Sequence, residues 1–214
     1  MTLRLADGMI ERDPATGKII FNSIGTFNAV KSPYQKYLMR YENGTIRTDK
    51  QRDVFVERLL SVEYNDKDGN LIVVEASKTH VNGIPMSQCM SNCNGLTFGD
   101  GEFFIDGYGA GKILADEYTE LQGYEDKGNN PKDVPDHNVM SVGRSQPGDF
   151  WEPFHSASKS GNGYRNKNDI NPIEENASRD EATNYVRYEK GSEGFNQIMN
   201  YIRKYFKKNE TENN

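Results

Sequence analysis

The sequence predicts an α+β domain, and three observations carry that expectation. Alternating runs such as "HNVMSVG" and "WEPFHSASK" cluster in the second half of the chain. Apolar residues recur at helical spacing over 110–121 and again from 194 onward. Hydrophobic content is only 35%, yet 12 Tyr and 10 Phe in 214 residues supply a real core, so no disulfide staples are needed.

Taken in order, residues 9–24 read as a strand pair, "MIERD" and "KIIFNSI", around the turn-like "PATG". Residues 28–42 place Tyr34, Tyr37, Leu38 and Tyr41 at helical spacing, with Ser32 as cap and Pro33 in the first turn. Residues 54–64 and 71–77 flank "NDKDGN" and read as a long hairpin. "GEFFIDGYG" is a short strand, and 110–121 is an amphipathic helix with Ala110, Ile113, Leu114, Tyr118 and Leu121 on one face. Residues 123–135 are a polar loop. Three strands follow, "HNVMSVG", "WEPFHSASK" and "YRNKNDI", and "TNYVRYE" is a last one. Phe195, Ile198, Met199, Ile202 and Tyr205 then predict a C-terminal helix. The expected division is a strand-rich extension over 1–82, a core over 83–206 and a disordered tail over 207–214.

Charge and composition exclude several classes. A net charge of −6 lacks the Lys/Arg excess that phosphate neutralisation needs, so no nucleic-acid partner is expected. No apolar run approaches the length of a membrane span. The first residues carry no apolar signal region. The expected location is therefore cytoplasmic, or virion-associated if the chain is phage-encoded.

The chain has 2 cysteines, Cys89 and Cys93, in "SQCMSNCNGLTFGDGEFFI". A disulfide between them would close a loop too short to stabilise much. A metal pair would need further ligands, and His80, His137 and His155 are scattered without paired spacing, so no metal or cofactor is expected. Two readings of Cys93 stand: a small buried residue, or a nucleophile. A nucleophile needs a depressed pKa and a base. Ser91 or Asn92 can cap a helix that begins at Cys93, whose backbone N–H then serves an oxyanion. Strand alternation turns His155 inward; His137, at the start of its strand, is the runner-up base. The next strand shares Tyr164, Asn166, Asn168 and Ile170 on one face, so either Asn166 or Asn168 can orient the imidazole. Asn92 and Trp151 are the candidates for substrate contact, although Trp151, with Phe150 and Phe154, suits the core equally well.

Over residues 92–163 this order resembles the papain-like cysteine peptidase superfamily, most closely its NlpC- and CHAP-type cell-wall branch. "PDHNVMSVG" stands where that family has a "P-G-D-L-V-F-F" strand, and "FHSASKSGNG" where it has "H-V-G-I-Y-L-G-N-G". The family's Gly-Asp is replaced by Asp136-His137, and its apolar His strand is polar here. The resemblance implies a Cys-bearing helix packed on a small antiparallel sheet, with Cys93 as nucleophile and His155 as base. Asn166 or Asn168 falls at the third position, and Gln88 joins Cys93 in the oxyanion hole. It further implies thiol-dependent hydrolysis or transfer at a peptide or amide bond, with a peptide or peptidoglycan-like substrate. The acidic charge gives no steering toward an anionic wall polymer. The alternative is a non-enzymatic virion or neck component with assembly partners, which keeps such a scaffold without an open cleft.

Overall fold

A computed structural model describes residues 10–31, 37–127, 134–168, 171–182 and 202–210. Strands dominate it: 50% of the described residues are strand and 14% helix. This corrects the expected α+β papain-like core with a C-terminal helix. The architecture is instead two antiparallel sheets with short helices between them.

The first sheet is a meander of β1 (Asn22–Lys31), β2 (Leu38–Arg47), β3 (Asp53–Asn65) and β4 (Leu71–Glu75). The β3–β4 hairpin turns as "NDKDGN" predicts, because the Asp66 carboxylate accepts the N–H groups of Asp68 and Asn70, both at 2.9 Å. The helix expected over 28–42 is absent from the described residues there, which form β1 and the start of β2. Tyr37, Met39 and Tyr41 are all buried, so the operative period is two and not 3.6. Residues 32–36 lie outside the described residues.

A small hairpin, β5 (His80–Val81) and β6 (Ile84–Pro85), leads into a single 3₁₀ turn at Met86–Gln88. Helix α1 (Cys93–Phe98) follows, then β7 (Phe103–Phe104), α2 (Gly107–Glu117), β8 (Tyr118–Glu120) and β9 (Asp126–Lys127). The rest of the second sheet is β10 (Val139–Gln146), β11 (Phe150–Ser160), β12 (Gly163–Asn166) and β13 (Glu174–Ala177), with one helical turn, α3 (Arg179–Ala182), and a last strand, β14 (Ile202–Lys208). Its order is β13-β12-β11-β10-β14-β8, with β9 also on β14. Ile202 and Tyr205 thus belong to a strand, not to the expected helix. Phe195, Ile198 and Met199, and the strand expected over "TNYVRYE", lie outside the described residues.

Helix α2 packs on β11 of the second sheet and on β3 of the first. One core cluster runs through both sheets, from Ile46, Val54 and Val56 through Phe98, Ile105 and Leu114 to Val139, Trp151 and Phe206. β7 pairs with β3. Packing therefore crosses residue 82, and β14 continues through Lys208, past the expected start of a tail. Full burial of a side chain such as Phe98 contributes about 1.5–3 kcal/mol. Among the described residues, no helix is long and apolar enough to cross a membrane.

At the far end of α2, Glu117 is buried and accepts the Asp49 N–H at 2.7 Å. Burial, with the nearby charges of Asp49 and Asp116, pushes its carboxyl up to about 7 from an ordinary 4.5. The fold thus favours the protonated acid. That contribution is complete below about pH 4.5 and is lost as pH rises through about 7. Glu117→Gln keeps the acceptor and removes the titration. Thermal unfolding followed by circular dichroism should show the variant more stable than the wild type at about pH 8 and the gap closing at about pH 4.5. A gap independent of pH would refute this account of Glu117.

Candidate active site

The segment that carries Cys93 is held from two sides. Asn92 caps α1: its side-chain oxygen accepts from Gly95 N at 2.8 Å and from Ile105 N at 3.2 Å, and its amide donates to Ile105 O at 2.7 Å. A cap of this kind contributes about 1 kcal/mol. Gly95 is required at its position, since a Cβ there would collide with the Phe103 carbonyl. Asn92 thus places Cys93 at the first helical position, where the early N–H groups of a helix have no internal partner. The cap uses the Gly95 N–H, and the Cys93 thiol receives the Asn94 N–H.

His155 comes from β11, whose register against β10 shifts between Val142 and Gly143: Val142 pairs with His155, and Gly143 with Pro153. Phe154 is the extra residue of this bulge. It projects outward while His155 is buried. Gly143 permits the close approach, because a Cβ there would meet the Glu152 carbonyl. The Cys93 thiol is hydrogen-bonded to the His155 imidazole. On the other side of the ring, His155 Nε2 lies 2.8 Å from Asn166 Oδ1. The orientation of that amide is fixed, because Asn166 Nδ2 faces two acceptors, Glu174 Oε2 at 2.9 Å and the Glu181 carbonyl at 3.5 Å. Asn166 can therefore only accept from the ring, so Nε2 carries the proton and Nδ1 is the nitrogen that faces the thiol.

Burial pushes the Cys93 thiol up, but the His155 charge and hydrogen bond, with the Ser156 and Asn94 N–H groups, outweigh it and leave the pKa below its ordinary value. Cys93 keeps partial exposure, and neither cysteine is in a disulfide. Cys89 is instead fully enclosed with Tyr41, Leu59 and Met86. Cys93 opens onto a cleft of about 290 Å³ lined by Asn92, Asn94, Gly107, Arg144, Glu152, Pro153 and Phe154. Arg144 and Glu152 face each other across β10 and β11 and form an ion pair, with Nη2 to Oε2 at 3.1 Å.

The other sequence candidates fall elsewhere. His137 is a structural residue: its Nδ1 meets the Val134 carbonyl at 2.8 Å and its Nε2 the Tyr164 hydroxyl at 2.9 Å. His80 is exposed on β5. Asn168 lies beyond the end of β12 and does not take the third position; its Oδ1 is buried without a hydrogen-bond partner among the described residues. Trp151 is a correction, since it is a core residue that donates to Ser141 Oγ at 2.8 Å and does not line the cleft. Gln88 is another: it is not among the cleft-lining residues, and its carbonyl accepts from Lys167 at 2.8 Å. Arg144 and Glu152 carried no sequence signal beyond two polar residues on neighbouring strands. No group of His, Cys, Asp and Glu among the described residues is arranged to hold a metal ion.

Comparison with protein-family models, with curated proteins and with solved structures gives no match to this chain.

Iodoacetamide should alkylate Cys93 and leave Cys89 unmodified in the folded protein, as read by peptide mass spectrometry. The pH midpoint of the reaction should lie below the ordinary thiol value of about 8.5. In His155→Ala it should return toward that value. Preferential labelling of Cys89 would show that the thiol assignment is wrong.

Proposed function

We propose that the protein is a thiol-dependent hydrolase or acyl transferase acting on peptide or amide bonds. One observation carries the proposal: Cys93, His155 and Asn166 stand in line, with the amide fixed by Glu174, at the wall of an open cleft. The Cys93 thiolate attacks the acyl carbon. The carbonyl oxygen takes the negative charge and is met by the Cys93 N–H. His155, protonated at both nitrogens, delivers its Nδ1 proton to the leaving amine, and the C–N bond breaks to leave a thioester on Cys93. Water, or an amine in transfer, then attacks the thioester while His155 accepts its proton, and the Cys93–acyl bond breaks. Asn166 holds the ring throughout.

The likeness to papain-like peptidases is retained here for the site alone. It rests on the order Cys, His, Asn and on the shared logic of thiolate, imidazolium and carboxamide. The open cleft beside Cys93 speaks against the non-enzymatic alternative, for which a closed, packed thiol was the expected sign. The paired charges of Arg144 and Glu152 give that wall no net charge, which suits a neutral amide-bearing chain better than a polyanion.

p-Nitrophenyl acetate supplies a substrate-independent test. A burst of p-nitrophenol should accompany acetylation of Cys93, seen as a mass increase on its peptide and cleared as turnover proceeds. Cys93→Ala should show no burst. Asn166→Ala should slow acylation about a hundredfold while the fold persists, since misplacing a reacting group by an ångström costs about that much. A burst retained by Cys93→Ala would remove the proposal.

A further inference from the structure

Lys167 follows Asn166 directly in the chain, yet it is fully buried. Its ammonium donates to the Gln88 carbonyl at 2.8 Å and to the Ser91 carbonyl. Both acceptors lie in the few residues that lead into Cys93. The same short stretch of backbone therefore carries the amide that orients His155 and the cation that grips the nucleophile's approach segment.

A buried ammonium is costly unless its protons are satisfied, and an unbranched apolar side chain would fill the same space without that cost. What only the amine provides is its directed donors. Other contacts already secure the rest of the segment: Asn92 ties the start of α1 to Ile105, and Thr97 Oγ1 donates to the Ser156 carbonyl at 3.1 Å further along the helix. Neither reaches the residues before Asn92. Ser91 Oγ is itself buried without a hydrogen-bond partner among the described residues, so the Ser91 side chain does not anchor that stretch. The groups that depress the Cys93 thiol are His155 and the Ser156 and Asn94 N–H groups, and the Lys167 charge is not among them. Lys167 therefore acts through position.

We propose that Lys167 is a positioning residue of the thiol site: its buried ammonium clamps the Gln88 and Ser91 carbonyls and so registers Cys93 against the His155–Asn166 pair. The proposal rests on the reading of Cys93 and His155 as the reactive pair. When the clamp is lost, Cys93 drifts from the imidazole and its thiolate loses support. The consequence is a change in thiol chemistry beyond any loss of stability.

The test compares Lys167→Met with wild type in the full chain, by the pH profile of iodoacetamide alkylation at Cys93 and by the melting temperature. Ile10→Ala, at a buried core position outside the cluster that holds Met86 and Cys89, serves as a variant destabilised away from that segment. The expected result is a midpoint raised by about one pH unit in Lys167→Met, hence about a tenfold slower reaction at pH values below both midpoints, with Ile10→Ala keeping the wild-type midpoint at a comparable loss of melting temperature. Lys167→Gln, which keeps an amide donor on a shorter arm, should fall between the two and provides the comparison if Lys167→Met does not fold. A Lys167 variant that melts lower but keeps the wild-type midpoint would overturn the proposal and leave Lys167 a structural residue. His155→Ala separates the two claims: if it leaves the midpoint unmoved, the reading of the thiol–imidazole pair fails, and the Lys167 proposal falls with it.

Discussion

The hydrogen bond between His155 Nε2 and Asn166 Oδ1 is the constraint on which the site depends. An imidazole without a partner at one nitrogen can swap tautomers and turn about its χ2 axis, and only one arrangement presents a basic nitrogen to the thiol. Asn166 removes that freedom because its own amide has no choice: both neighbours of Nδ2 are acceptors. This requires β12 and β13 to lie beside β11, so that Asn166 pairs with Glu174 while the backbone of β12 follows that of β11. The second sheet thus supplies the imidazole and the amide that orients it from adjacent strands, and the helical segment delivers the thiol from outside the sheet. No single element holds more than one of the three groups.

The first sheet contributes indirectly. β7 pairs with β3, and the Phe103 carbonyl presses against Gly95 of α1. Ile105, just after β7, makes two of the three contacts of the Asn92 side chain. Two of those contacts are its backbone N–H and carbonyl, and the third is the cap on Gly95. The long β2–β3 meander therefore acts as the back wall against which the helix that carries Cys93 is set. Arg144 and Glu152 then border the cleft from the exposed side of β10 and β11, and the bulge at Phe154 turns an apolar ring outward beside them.

Much of the site was legible in the sequence because the second half of the chain obeys simple alternation. His155 and Asn166 sit at inward positions of strands whose turn, "SGNG", is unmistakable, and Asn92 is a strong cap immediately before Cys93. Asn168 shared the parity of Asn166 but falls beyond the end of β12, and parity cannot report where a strand ends. Lys167 was illegible for the same reason: on a continuing strand it would face outward, but past Asn166 the backbone leaves the ladder and turns the side chain in. The helices expected over 28–42 and from 194 onward show a different limit. In a short segment rich in tyrosine, apolar positions can satisfy period two and period 3.6 at once, and Tyr37, Met39 and Tyr41 resolve as a strand only because β1 and β3 flank them. In β14, fully buried Arg203 breaks the apolar alternation that would have marked a strand.

The central proposal is that Cys93 and His155 rest as a thiolate–imidazolium pair whose Nε2–H is bound by Asn166. Nitrogen-15 chemical shifts of the His155 ring at neutral pH measure this directly. The account predicts two protonated nitrogens in the wild-type protein and, in Cys93→Ala, a neutral ring protonated at Nε2 alone. A neutral His155 in the wild type, titrating as it does in Cys93→Ala, would contradict it.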